Sequence, residues 1–219
     1  MNTQHAFSTR VMASLLALVA SLLILAVLSK AQAADTPVRD LPAFQSIEFH
    51  GVGQLQVEAG AAQSVSISGP EAAQSQVTFK VKHGTLYVVH VGYPWRSSDP
   101  DLVVQVSLPQ LSALTLKGPG RAQLQGLHGG DTQITLLRRA SLQARGTVGH
   151  LQVHVDRDSV ADFSQLTAGS ANFTATEGGS ARFRASTPLV TSVFGVASVS
   201  TAGTQPLRLV VAGQQGSRQ

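Results

Sequence analysis

From Leu111 onward the sequence repeats about every 19 residues, and no other feature restricts the fold as strongly. Each unit holds a strand-like run, a tight turn and a second short run, with turns ending at Arg121, Ser141, Ser159, Ser180 and Ser198. Aligned on these anchors, Leu114, Ile134, Leu151 and Ala171 share one column and Leu116, Leu136, Val153 and Phe173 another, with Thr115, Thr135, Gln152 and Asn172 between them. After the turn, Leu124, Ala144, Phe163 and Phe183 form an apolar column beside Gln123, Gln143, Asp162 and Arg182. Such a unit is too short for a helical hairpin and cannot bury its apolar side alone, whereas neighbours stacked at about 4.8 Å can. The expectation is an all-β, single-domain β-solenoid, or β-helix, of about 19-residue coils, with apolar columns as core and the Thr, Gln and Asn column in water. The columns do not set its hand. In the fifth unit the run from Leu189 to Phe194 fits two registers, and Leu207 to Val211 reads as a last strand.

Upstream, alternation with a period of two marks strands at Ser46–His50, Gln54–Glu58, Ser64–Ser68, Val77–Val81, Thr85–Val91 and Leu102–Leu108. Gly51-Val52-Gly53, Gly69-Pro70, His83-Gly84 and Leu108-Pro109 separate them as turn and edge signals. This part reads as a less regular continuation of the same coils, and no stretch keeps a helical period over three turns.

Composition fits such a fold. Charged residues make up 13% of the chain, about half the usual share, and the absence of cysteine excludes disulfide frameworks, thiolate chemistry and iron–sulfur ligation. The net charge of +4 is not a partner signal. Arg10 and Lys30 flank an apolar run from Val11 to Leu28, and Ala31-Gln32-Ala33 follows as a small-x-small site, so residues 1–33 read as a secretory signal peptide. Without those two cations the charge falls to +2, which gives no reason to expect a nucleic-acid partner. The run also approaches spanning length, so an uncleaved anchor is the alternative and the one route to a membrane. Residues 34–43 would be a leader, 44–212 the domain and 213–219 a polar tail. The export signal places the chain in the periplasm, on the outer surface or outside the cell.

The stretch Phe44-Gln45-Ser46-Ile47-Glu48-Phe49 with Gly51-Val52-Gly53-Gln54-Leu55-Gln56-Val57, then Gly84-Thr85-Leu86-Tyr87-Val88, then Leu108-Pro109-Gln110-Leu111 through Gly118 and the serine-ended turns, resembles the bacterial "putative auto-transporter adhesin, head GIN domain" family. The resemblance covers about residues 40 to 212. Of the turns, Gly179-Ser180-Ala181 keeps the family's usual form, while Arg replaces the first Gly in others. The resemblance implies an exported β-solenoid with adhesin-like binding, and no catalytic residues or cofactor.

Each chemical motif has a structural reading beside it. His150 and His154 lie about 13 Å apart along a strand, too far for one metal ion, and the columns place no histidine on an adjacent coil. Asp156, Asp158 and Asp162 lack the Gly-Gly-x-Gly-x-Asp setting of calcium-binding β-rolls and have Arg157, Arg182 and Arg184 as surface partners. No metal site is expected. A hydrolase would need a Gly-x-Ser-x-Gly elbow, which is absent, or a groove with paired carboxylates such as Asp156 and Asp162. Gly118-x-Gly120 lacks the third glycine and the helix of a dinucleotide site. Asn172-Phe173-Thr174 fits a glycosylation acceptor but sits on an expected strand. Arg138, Arg139 and Arg145 are solvated cations or a contact for anionic polysaccharide or headgroups.

The loop from Gly92 to Asp101 holds the single Trp of the chain, and Tyr93, Trp95 and Arg96 make it the candidate ligand-binding surface. The alternative is a Trp folded back over the sheet end. The expected function is an exported, non-enzymatic, adhesin-like or envelope-associated binding module whose ligand is carbohydrate or an envelope protein. The competing readings are a polysaccharide hydrolase or lyase on a β-helix and a purely structural periplasmic protein.

Overall fold

The structure, a computed structural model, describes residues 36–38, 41–90, 102–184, 187–194 and 197–202; the expected signal peptide, the Gly92–Asp101 loop and the last strand lie outside these residues. The described chain is all-β, as expected, with one short helix, α1 (Glu71–Gln74). Its strands are β1 (Thr36–Pro37), β2 (Ser46–His50), β3 (Gln54–Ala59), β4 (Ser64–Ser68), β5 (Val77–Lys82), β6 (Thr85–His90), β7 (Val103–Leu108) and β8 (Ala113–Lys117). They continue with β9 (Arg121–Leu127), β10 (Asp131–Leu137), β11 (Ser141–Val155), β12 (Val160–Thr176), β13 (Ser180–Arg184), β14 (Leu189–Phe194) and β15 (Ser198–Ala202).

Two walls carry the core between them. The first runs β5, β6, β2, β8, β10, the end of β11, the end of β12 and β14. The second runs β1, β4, β7, β3, β9, the start of β11, the start of β12, β13 and β15. From β2 into β3, β8 into β9, β10 into β11, β11 into β12, β12 into β13 and β14 into β15, a first-wall strand is followed by a second-wall strand, and we term that pair a rung; β5 instead turns back into β6 of the same wall. Alternation along every strand sends one set of side chains inward, so Ile47, Leu86, Leu114 and Ile134 of the first wall join Leu55, Val104, Ala122 and Leu142 of the second in one buried cluster. At its far end Phe183 stacks on Phe163 at 5.1 Å and meets Phe173 edge-on at 5.5 Å, adding about 0.5–1.5 kcal/mol per pair to the burial itself.

The long strands β11 and β12 cross from the second wall to the first. The crossing in β11 needs Gly146, whose φ is +136° and whose place no side chain can take, because a Cβ there would strike the carbonyl oxygen of Leu127.

Two sequence expectations need correction. The turn anchor of the third unit is Val160, not Ser159: Arg121 pairs with Ser141, Ser141 with Val160, Val160 with Ser180 and Ser180 with Ser198. The columns before the turn therefore run Leu114, Ile134, Val153, Phe173 and Leu116, Leu136, Val155, Ala175, while Gln152 pairs with Gln133 rather than Thr135. Ser159 is fully buried, and its hydroxyl oxygen accepts the backbone N–H of Ala140 at 3.1 Å. The same ladder fixes the fifth unit, where Phe173 pairs with Thr191 and Val190 is exposed. The second correction concerns order. β2 lies between β6 and β8, and β3 between β7 and β9, so the first rung of the sequence is not the first of the stack.

Candidate binding site

The ladder that joins β2, β8 and β10 ends on His50, Lys117 and Leu137, one above the other. The turns that follow enclose a cavity of about 680 Å³ on three consecutive rungs. Val52, Pro119 and Leu137 supply apolar wall; Lys117, Arg138, Arg139 and His50 supply basic groups. Glu48, two residues before His50 on the outward face of β2, accepts from Lys117 Nζ at 2.6 Å and is joined to His50 Nε2. Burial raises the Glu48 carboxyl, yet the hydrogen bonds from Lys117 and His50 outweigh it and hold the group below its ordinary value. Lys117 is thereby neutralised.

Arg138 and Arg139 are not. Both have φ of +64°, both are exposed, and among the described residues neither guanidinium has a hydrogen-bond or ion-pair partner. The equivalent turn one rung on, Arg157 and Asp158 with φ of +51° and +57°, differs in charge: Arg157 Nε lies 3.2 Å from Glu177 and 3.5 Å from Asp156. One turn of the stack therefore leaves two cations open at a cavity while its neighbour is compensated.

The walls present a different chemistry. On the second wall Gln105, Gln56, Gln123 and Gln143 are successive ladder partners, and Asp162 and Arg182 extend the line. Beside them a shallow groove of about 120 Å³ is bounded by Glu58, Ser107 and Gln125 as well. On the first wall His150 Nε2 accepts from the Asn172 amide at 3.2 Å while its Nδ1 lies 2.7 Å from Ser170 Oγ, which ties adjacent rungs.

Tyr93, Trp95 and Arg96 lie outside the described residues. Among those residues no group of three or more His, Cys, Asp or Glu could hold a metal ion. Asp156 accepts from Thr176 Oγ1 at 2.8 Å and faces Arg157, Asp162 accepts the Ser164 N–H at 2.9 Å, and Arg184 donates to Thr167 at 3.3 Å. Asn172 is on β12, as its strand reading requires. Arg145 pairs along β11 with Gln165 and is not part of the cavity that holds Arg138 and Arg139. The contribution of His50 and Lys117 to that cavity had no signal in the sequence, since it depends on β2 lying against β8.

Comparison with known proteins places the chain. The family described as "Putative auto-transporter adhesin, head GIN domain" matches residues 43–204. A crystal structure of a putative adhesin from Bacteroides fragilis is similar at 16% identity and a TM-score of 0.56, over 82% of this chain and 94% of that one. A putative lipid binding protein from Parabacteroides distasonis matches at 12% identity and 0.45, over 83% and 98%. A putative adhesin from Parabacteroides merdae matches at 15% and 0.46, over 83% and 93%. At 16% identity the likeness to the Bacteroides fragilis structure concerns the fold alone. No protein of curated function matches the chain.

Proposed function

Because this chain belongs to the family described as "Putative auto-transporter adhesin, head GIN domain", we propose that it is an exported, non-enzymatic, adhesin-like module that binds carbohydrate or another envelope protein along its second wall. The observation that carries this reading is the in-register line of Gln105, Gln56, Gln123 and Gln143. Side-chain amides at the inter-strand repeat of about 4.8 Å offer both donors and acceptors along a straight track, which suits a polymer of hydroxyl groups or an extended partner strand. We further propose that the rungs wind as a β-solenoid: the successive ladder partners Arg121, Ser141, Val160, Ser180 and Ser198 recur at nearly even intervals along the chain. Export follows in this proposal from residues 1–33 as signal peptide, with 44–212 as the domain.

Binding of the secreted protein to an array of bacterial envelope glycans and to isolated envelopes tests the reading. A Gln56→Ala/Gln123→Ala/Gln143→Ala variant is expected to lose at least about tenfold in apparent affinity with an unchanged melting temperature. Equal binding by variant and parent would remove the wall from the proposal. Tyr93, Trp95 and Arg96 form a second proposed contact, and a Trp95→Ala variant that binds and melts as the parent does would eliminate it.

A further inference from the structure

We propose that the cavity at the turns after β2, β8 and β10 is a site for a phosphate monoester carried on a small apolar body. At about 680 Å³ it falls in the range of small-molecule sites, about 300–1,000 Å³. Its basic groups are unequal. Glu48 already occupies Lys117 and His50, so those two close one side without contributing net attraction. The uncompensated charge is that of Arg138 and Arg139.

Guanidinium forks bind oxyanions through paired N–H donors, and two adjacent forks match a dianionic phosphate better than a single carboxylate. Val52, Pro119 and Leu137 make the remaining lining apolar, which favours an ester with a hydrocarbon body over the free ion. The backbone supports the assignment independently. Arg138 and Arg139 both adopt the left-handed conformation, which Asn and Gly enter more readily than Arg, so the local fold alone gives no reason for two arginines there.

The assignment does not rest on the second-wall reading. The cavity and the glutamine line share no residue, and each can fail while the other stands.

Hexyl phosphate, inorganic phosphate and hexanol, titrated calorimetrically into the protein as exported, form the test. Hexyl phosphate is expected to bind at least about tenfold more tightly than either other probe and to weaken with added salt. An Arg138→Asn/Arg139→Gly variant, whose residues suit the turn, is expected to lose at least about tenfold in hexyl phosphate affinity while melting at or above the parent's temperature. Undiminished affinity in that variant would overturn the site. Hexyl phosphate binding no tighter than hexanol would overturn the role of the oxyanion, and binding no tighter than inorganic phosphate would overturn the role of the apolar wall.

Discussion

The rungs from β8 to β15 and the rungs from β2 to β7 are built from the same ladder but wired differently. In the first group each strand from β10 on meets the strand of the preceding unit, so those contacts are local at the scale of one repeat, and only β8 and β9 also reach back to β2 and β3. In the second, Ile47 meets Leu86 on one side and Leu114 on the other, partners that both lie well beyond the length of one repeat. The two also end differently. The N-terminal end is closed by antiparallel strands, β5 on β6 and β4 on β7, and β5 presents Lys80 and Lys82 outward, a charged edge that discourages further pairing. Among the described residues β14 and β15 pair on one side only. A repeat thus supplies strand pairing cheaply in the middle of a stack, while its end requires strands that leave the repeat.

The largest test of this contrast removes an aromatic core residue from each group. Phe49→Ala and Phe173→Ala, both at fully buried positions, are each expected to cost about 3–5 kcal/mol in urea unfolding followed by circular dichroism. A single transition in both variants keeps the two groups one cooperative unit; a separate early transition in Phe49→Ala would divide them. Next come the glycines. Gly146→Ala meets the Leu127 carbonyl and is expected to cost about 3 kcal/mol, whereas Gly84→Ala, at φ +72° in the β5–β6 turn with open space around it, should cost about 1 kcal/mol.

Smaller effects come from single polar atoms. Ser159→Ala strands the buried N–H of Ala140 and is expected to cost about 2 kcal/mol. Thr191 Oγ1 is buried without a partner, so Thr191→Val should raise stability by about 1 kcal/mol. The smallest effect is in acid. Glu48, held by hydrogen bonds from Lys117 and His50, and Asp162 on the second wall, held by hydrogen bonds from Ser164, both have lowered folded values. Their contributions are full above the unfolded values of about 4.5 and 3.8 and are lost as pH falls through the lower folded ones. Glu48→Gln and Asp162→Asn should each flatten the acid limb of melting temperature against pH and leave pH 7 stability reduced.

Much of this was legible in the sequence because side-chain alternation is a local signal. The strands at Ser46–His50 and Ser64–Ser68 coincide with the alternating runs, and the column Gln123, Gln143, Asp162, Arg182 is a true ladder. The slip came at Ser159. A serine near the end of a turn looks like its counterparts in other units, but Ser159 stands one residue before the anchor, in line with Gly120 and Ala140, where its hydroxyl oxygen accepts the N–H of Ala140. The place of β2 was not legible at all, since a partner as remote in the chain as β8 leaves no period to find. The cavity shares that fate: Arg138 and Arg139 were visible, but His50 reaches them only through the β2–β8 pairing.

That pairing has a consequence in time. A chain made or exported from its N-terminus presents β2 before either of its neighbours, with both edges open. The strand β6 follows after β3, β4 and β5 have emerged, already able to close a hairpin with β5. The other neighbour, β8, arrives later still, once β7 is also out. At about 5–20 residues per second the delay is of the order of seconds, against microseconds for a hairpin to form. The interval in which Ile47 and Phe49 stand uncovered is therefore set by the order of emergence rather than by the strength of the ladder that eventually encloses them.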